Sequence, residues 1–389
     1  METQSPSAPL SRTDAEAAST EGSPRKHLRF LDGVRGLAAL GVVFCHIAGF
    51  STGYAWHAGD PEWFRALTDR LIAGGHLAVD IFIVLSGYCL MRPLVRTAGA
   101  EMPIDGMLRF FKRRALRILP AYYAWLLIFA TLIPIVPSLR STARGVDEIY
   151  ASTGMFNAFV AHLLLAHNLN VVWARRFDNP MWSVATEWQI YFLFPVVLLP
   201  LWRKAGPLAA IAAGYFIGYC LTCLGLERSC FWFAALFAMG MTAAAITTGP
   251  QWSAFRSAPR SPALAGITIM LLIIASVTIH CPDIHKDMID GALSASILVY
   301  CGAFTTGFPH RLSAFFSVRP FVFLGTCSYS LYLVHYPLLQ MLHGLAGGHL
   351  TNTRVAGFFA LLALGLPAAL ALAYVSYRLI EKPFLSMRE

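Results

Sequence analysis

The chain has 389 residues, of which 57% are hydrophobic and only 13% charged, with a mean hydropathy of +0.58. Soluble domains carry about 25% charged residues, so this composition excludes an ordinary soluble enzyme and describes an integral membrane protein with many spans. The formal net charge of +9 reads as a Lys/Arg excess facing the cytoplasm and anionic headgroups, and no motif supports nucleic-acid binding.

Residues 1–27 are rich in Ser, Ala, Pro and Glu and nearly free of large apolar side chains. They read as a disordered cytoplasmic tail and lack the apolar core of a signal peptide. Ten apolar stretches follow, near 34–52, 74–91, 118–137, 187–202, 206–225, 230–247, 262–280, 289–308, 321–341 and 355–377. Crossing a ~30 Å hydrocarbon core takes about 20 helical residues. The segment 155–173, MFNAFVAHLLLAHNLNVVW, is apolar but holds Asn157, His162, His167, Asn168 and Asn170. It is expected to be a re-entrant or interfacial helix.

With ten spans and the N-terminus in the cytoplasm, two thirds of the 30 Lys and Arg fall on inner segments. That is the bias the positive-inside rule demands; counting 155–173 as a span would weaken it. The expected fold class is therefore an all-α polytopic membrane protein of the plasma membrane. It has about ten transmembrane helices and both termini in the cytoplasm. One transmembrane domain is expected over 28–389, with no fused soluble domain, so any chemistry sits among helices and loops. The eight cysteines read as buried thiols, although Cys220 and Cys223 are close and a disulfide reaching Cys230 or Cys281 stays open. No metal site is expected, because the Cys220/Cys223 pair has no second pair and no histidines at ligand spacing to complete it.

The first span, LDGVRGLAALGVVFCHIAGF, carries Arg35 and His46. Eleven residues at 100° each end about 20° past three full turns, so the two share a face about 16 Å apart along the axis. Ionisable groups inside a span usually face a bundle interior or a water-filled cavity. In the second span, GGHLAVDIFIVLSGYCL, His76 and Asp80 are four residues apart, where a carboxylate fixes a histidine's tautomer or charge. Ser86 and Gly87 read as small-residue helix packing.

Five basic residues lie between 109 and 117 in LRFFKRRALRILPAYYAW. They fit an ordinary inner anchor, and they equally fit a phosphate grip by Arg113, Arg114 and Arg117. In NPMWSVATEWQIYFLFP, Glu187 stands at the mouth of an apolar span. Trp182, Trp188 and Tyr191 suit the headgroup level and would equally suit stacking on a sugar. FLGTCSYSLYLVHYPLL places Ser328, Tyr329, Ser330 and His335 at the start of the ninth span. In YRLIEKPFL, Arg378 with Glu381 or Lys382 reads as a terminal anchor and local ion pair.

Taken in order, FLDGVRGLAALGVVFCHI, HLAVDIFIVLSGY, FKRRALRILPAYY, MWSVATEWQIYFLFP and SYSLYLVHYPLL resemble acyltransferase family 3, membrane proteins that O-acylate cell-surface carbohydrates and some natural products. The resemblance covers the chain after its tail. It places the family's Arg-x10-His motif on Arg35 and His46, its basic motif on Arg113, Arg114 and Arg117, and its WS…E motif on Trp182, Ser183 and Glu187. Many members carry a second carboxylate where this chain has Trp188.

The resemblance implies transfer of an acyl group, by default acetyl, from cytoplasmic acyl-CoA to an acceptor hydroxyl. The acceptor would be a bacterial glycan, a glycolipid or a glycosylated natural product. His46 is then the general base, with a covalent acyl-histidine as the variant. Arg35 binds the donor or steadies charge near it, and the basic loop holds the CoA phosphates. Glu187 orients the acceptor or His46. Asp80, His76, Trp182 and Ser183 are the candidate acceptor-binding residues. Membrane lipids are the remaining partners expected. A proton-coupled secondary transporter or glycan exporter using Arg35, His46 and Asp80, or an inactive scaffold, are the competing readings. Transporters often show inverted repeats, and none is visible.

Overall fold

The computed structural model describes residues 28–54, 59–96, 104–140, 153–174, 176–279, 281–346 and 353–387. The expected tail, 1–27, lies outside them. Every regular element among the described residues is helical. Helix α1 spans Arg29–Thr52 and α2 Glu62–Arg96. Helix α3 spans Ile104–Leu132, and α4 is the short Thr153–Leu163. Helix α5 runs Met181–Ala205 through a π-helical turn at Phe194–Leu198, beside Pro195. Then come α6 (Pro207–Cys223), α7 (Phe233–Thr248), α8 (Ser261–Thr278) and α9 (Asp283–Ala303). The chain closes with α10 (Gly307–Phe316), α11 (Arg319–Thr326), α12 (Ser328–Ala346) and α13 (Arg354–Ser386).

Seven of the described helices are long and apolar enough to cross a membrane, or eight if α9 and α10, bent by 106°, count as one broken span. The other two expected spans are helical but differ in kind. Helix α6 stops at 17 residues. The ninth stretch is broken after Thr326 into α11 and α12, and α12 interrupts its apolar run with Ser330, His335 and Gln340. Helix α4 has 11 residues, about 16 Å of rise, half of what a crossing needs. All eight cysteines are free thiols, the Cys220, Cys223 and Cys230 group included.

Helix α7 is the centre of the bundle. Phe233, Leu236, Phe237 and Met241 are fully buried there, and its small residues let neighbours approach closely. A Cβ on Gly240 would strike the Val84 carbonyl of α2, and one on Gly87 would strike the Phe237 carbonyl of α7. This crossing therefore brings two backbones into contact, the packing that membrane helices use in place of a hydrophobic drive. Helix α8 is the opposite case. Leu264, Ile267, Met270, Leu271 and Ile274 all point outward, as a helix facing lipid requires. Helix α1 ends at Gly53, whose left-handed φ of 63° lets its N–H cap the Gly49 carbonyl.

Candidate active site

A cavity with about 740 Å³ of empty space, part of it open to solvent, lies among α1, α2, α3, α5 and α12. Helical periodicity builds the walls. Ser183, Glu187 and Tyr191 are four apart on α5, and Arg114 and Arg117 are three apart on α3, so each set forms one stripe facing the cavity. Helix α1 contributes Arg35, α2 contributes Ser86, and α12 contributes Tyr329 and Tyr332.

Glu187 is the hub of the polar wall. Its Oε1 accepts hydrogen bonds from the Ser86 hydroxyl and, at 2.5 Å, from the Tyr191 hydroxyl. The Ser183 hydroxyl and Tyr332 Oη are 2.5 Å apart, and Tyr332 also donates to the Pro180 carbonyl at 3.0 Å. Ser86, read from sequence as packing, is thus a polar partner, whereas its neighbour Gly87 does pack against α7.

The three cavity arginines differ in their partners. Arg35 lies 3.7 Å from Asp32 on its own helix. Arg117 lies 3.6 Å from Glu381, which also accepts from Ser330 at 2.9 Å. The local pair expected at the C-terminal end is therefore replaced. Glu381 sits in a π-helical turn, Tyr377–Glu381, that turns it inward to α3, and Arg378 bonds Tyr374 instead. Arg114 makes no ion pair among the described residues. Its guanidinium stands 5.9 Å from the Tyr191 ring, and its Nε is buried without a hydrogen-bond partner. Arg113 is exposed and outside the cavity wall.

His46 is not a cavity residue. It lies three turns along α1, half-buried, with Nδ1 3.0 Å from Tyr54 Oη. Its ring meets Tyr336 edge-on at 4.8 Å and His335 at 5.3 Å. Burial, with Cys45 and Tyr336 adding to it, pushes the Tyr54 phenol up, so its O–H stays intact. Arg35 and His46 share a helix face but have different surroundings: an arginine-lined cavity for one, an aromatic cluster for the other.

His76 and Asp80 do not form the pair expected. His76 Nδ1 faces Asp287 Oδ1 at 3.7 Å, and Asp287 accepts from the Trp232 indole at 2.8 Å. Asp80 is fully buried, with neither oxygen hydrogen-bonded. A partner on α9 outcompetes the neighbour four residues away because α2 turns its His76 face toward α9. Trp182 packs between Phe233 at 6.0 Å and His76 at 6.5 Å, away from the arginine cavity. The sequence did not single out Ser86 and Tyr332 as site residues, offered Tyr191 only as a headgroup-level or sugar-stacking ring, and left His335 unassigned; Tyr332 and His335 were visible only as part of SYSLYLVHYPLL. No cluster of three or more His, Cys, Asp or Glu able to hold a metal occurs among the described residues.

A family model described as an acyltransferase domain matches residues 28–378, most of the chain. The chain is 26% identical over 396 residues to a putative peptidoglycan O-acetyltransferase, YrhL, of Bacillus subtilis, covering 92% of this chain and 55% of that protein. It is likewise 26% identical to the peptidoglycan O-acetyltransferase OatA of Listeria monocytogenes, covering 92% of this chain and 56% of the relative. With the O-acetyltransferase OatA of Staphylococcus aureus the identity is 26% over 386 residues, covering 93% of this chain and 57% of the relative. The chain thus spans little more than half the length of these curated relatives. No solved structure matches it.

Proposed function

Because the chain belongs to acyltransferase family 3, matched from residue 28 to 378, we propose that it is a multi-pass plasma-membrane O-acyltransferase. It moves an acetyl group from cytoplasmic acyl-CoA to a hydroxyl of a carbohydrate acceptor. The names of its relatives favour a cell-wall glycan as that acceptor.

One observation carries the donor half. Arg114 is a half-buried cation with no ion-pair partner among the described residues, and it lines a cavity with Arg35 and Arg117. An unpaired guanidinium withdrawn from water is costly to keep unless an anion binds there. The phosphates of CoA supply that anion through charge-assisted, bidentate hydrogen bonds. Arg117, tied to Glu381, forms a fixed wall beside it, and the exposed Arg113 adds only a distant charge. The pantetheine arm then runs along the cavity past Arg35 and Glu187 and carries the thioester toward His46.

The acceptor approaches the far end of α1. A His46 tautomer with Nδ1–H donating to Tyr54 Oη leaves Nε2 bare. That nitrogen removes the acceptor's proton as its oxygen attacks the thioester carbonyl. General-base help of this kind contributes about 10²–10⁴-fold. Asp80, His76 and Trp182 lie on the acceptor's side of the bundle, and Ser183 on the donor's.

His46→Ala is expected to abolish transfer while the protein stays folded, as read by monodisperse elution and an unchanged melting curve. Arg114→Ala is expected to raise the acyl-CoA KM by about tenfold or more, the ~1.5–3 kcal/mol of a hydrogen bond to a charged group. Arg113→Ala should change it by less than about twofold. An Arg114→Ala enzyme with wild-type KM would remove the cavity from the donor site.

A further inference from the structure

His335 on α12 has no place in the reaction outlined above, yet it is the side chain that links its two halves. It is fully buried. Its Nδ1 lies 3.0 Å from the Leu331 carbonyl one turn earlier. A carbonyl only accepts, so the proton is on Nδ1 and the lone pair on Nε2. That Nε2 is buried and has no hydrogen-bond partner. An unsatisfied buried acceptor costs about 1–3 kcal/mol, which an apolar ring of similar size would avoid. The imidazole is therefore held in one tautomer with its basic nitrogen unused.

The neighbours show what the ring lies beside. The ring centroid lies 5.3 Å from His46 and 5.9 Å from Tyr332. Tyr332 lines the arginine cavity, and His46 does not. His335 thus stands between the base and the cavity wall. Once His46 takes a proton it becomes an imidazolium, and that cation needs an acceptor. Histidine bases usually have a carboxylate in this role. The ring contacts of His46 here are with Tyr54, Tyr336 and His335, all neutral, and no carboxylate forms an ion pair with it among the described residues.

We propose that His335 is the proton-sharing partner of His46: once His46 Nε2 has taken the acceptor's proton, His335 Nε2 accepts that N–H, directly or through one water, while the His46 Nδ1–H stays on Tyr54. This rests on the reading of His46 as base. The acceptor O–H bond breaks and an N–H bond forms on His46. The oxygen forms an ester bond as the thioester C–S bond breaks. The proton then returns from the imidazole pair to the departing thiolate, giving ester and free CoA thiol. His335 is a positioning residue in this scheme, since it touches His46 and not the reacting atoms.

The test uses the whole protein in proteoliposomes with acetyl-CoA and a peptidoglycan-derived glycan fragment, reading thiol release and ester formation. His335→Gln keeps the volume and an N–H for the Leu331 carbonyl, but has no basic nitrogen. It should lower kcat by about 10²-fold with the acyl-CoA KM held within twofold. His335→Ala leaves a hole of imidazole size, and added imidazole should restore its activity at least tenfold while leaving His335→Gln unchanged. A role in packing alone predicts neither the KM-against-kcat split nor the rescue. A His335→Gln enzyme with half or more of the wild-type kcat overturns the inference, whatever happens to His335→Ala. His46→Ala is run beside them. If it is inactive while His335→Gln is active, only this inference fails; if His46→Ala itself transfers, the reading of His46 as base fails with it.

Discussion

At the scale of single residues, the cavity wall gathers three guanidinium groups around one lining carboxylate. Arg35, Arg114 and Arg117 face Glu187, which is held by Ser86 and Tyr191. Replacing Glu187 by Gln keeps the volume and one accepting oxygen but removes the charge. The three guanidinium groups then attract phosphate more strongly. Glu187→Gln is expected to leave the acyl-CoA KM unchanged or lower and to reduce kcat by about tenfold, roughly 1.4 kcal/mol of lost orientation. Steady-state kinetics separate the two effects, and a raised KM with normal kcat would place Glu187 outside the reacting region. The sequence exposed half of this arrangement. Arg35 and Glu187 were legible because an ionisable group in or beside an apolar segment is costly and needs a reason, and Arg114 and Arg117 because they fall in a run of five basic residues before an apolar span. Their partners were not. Ser86 meets Glu187 across 101 positions and Ser183 meets Tyr332 across 149, and no local periodicity encodes such pairings. His335 looked like one more polar interruption until its neighbours came into view.

At the scale of elements, the least regular segment has the clearest physical signature. Helix α4 and the turn after it bring His162 and His167 face to face, with ring centroids 3.7 Å apart and planes within 8°. Phe177 and Tyr122 close the sides of this stack. Apolar composition with five polar residues predicted a helix that does not span, and 11 residues is what the chain forms. The stacking itself was invisible, because it needs the turn at 164–166 to fold the segment back. Burial holds His162 down to about 4, with the Ala158 carbonyl opposing it, and holds His167 well below its usual range through burial and its neighbour His162. An unfolded histidine titrates near 6.5. Between about pH 6.5 and 4 the unfolded chain therefore binds more protons, and stability falls as pH drops through that window. Buried Asp178, raised by burial, acts in the opposite sense, so the comparison must be differential. His162→Phe is expected to remove roughly 3 kcal/mol of the acid destabilisation. Melting curves from pH 7 to 4 should therefore diverge, with the variant losing less. Parallel curves would show that the stack opens to water before it titrates.

At the scale of the whole molecule, the question is how two polar substrates reach one reaction inside an apolar bundle. Seven long apolar helices, or eight with the bent pair, are available to cross the membrane among the described residues, and the residues that the proposed reaction uses fall into two groups. The arginine cavity adjoins the basic stretch Arg109–Arg117, and positive charge collects on the cytoplasmic side of membrane proteins. His46 and Tyr54 lie toward the opposite end of α1. An 11-residue helical separation is about 16 Å, half the hydrocarbon thickness. On the proposed reading, donor and acceptor each enter from their own side and meet near the middle, so the reaction would be vectorial. In sealed inside-out vesicles, external acetyl-CoA should be consumed when acceptor is enclosed in the lumen. In right-side-out vesicles, external acetyl-CoA should give no ester until the membrane is permeabilised. Sidedness can be fixed independently with Lys112→Cys on α3 and Trp63→Cys on α2, two exposed positions near opposite ends. An impermeant thiol reagent should label the first above the wild-type background only in inside-out vesicles, and the second only in right-side-out ones. The swapped pattern, the first labelled only in right-side-out vesicles and the second only in inside-out ones, would reverse the topology assigned to the arginine cavity. Equal ester formation in both vesicle orientations, with labelling as expected, would mean that acyl-CoA reaches the site from either side and that the arginine cavity does not define the donor's route.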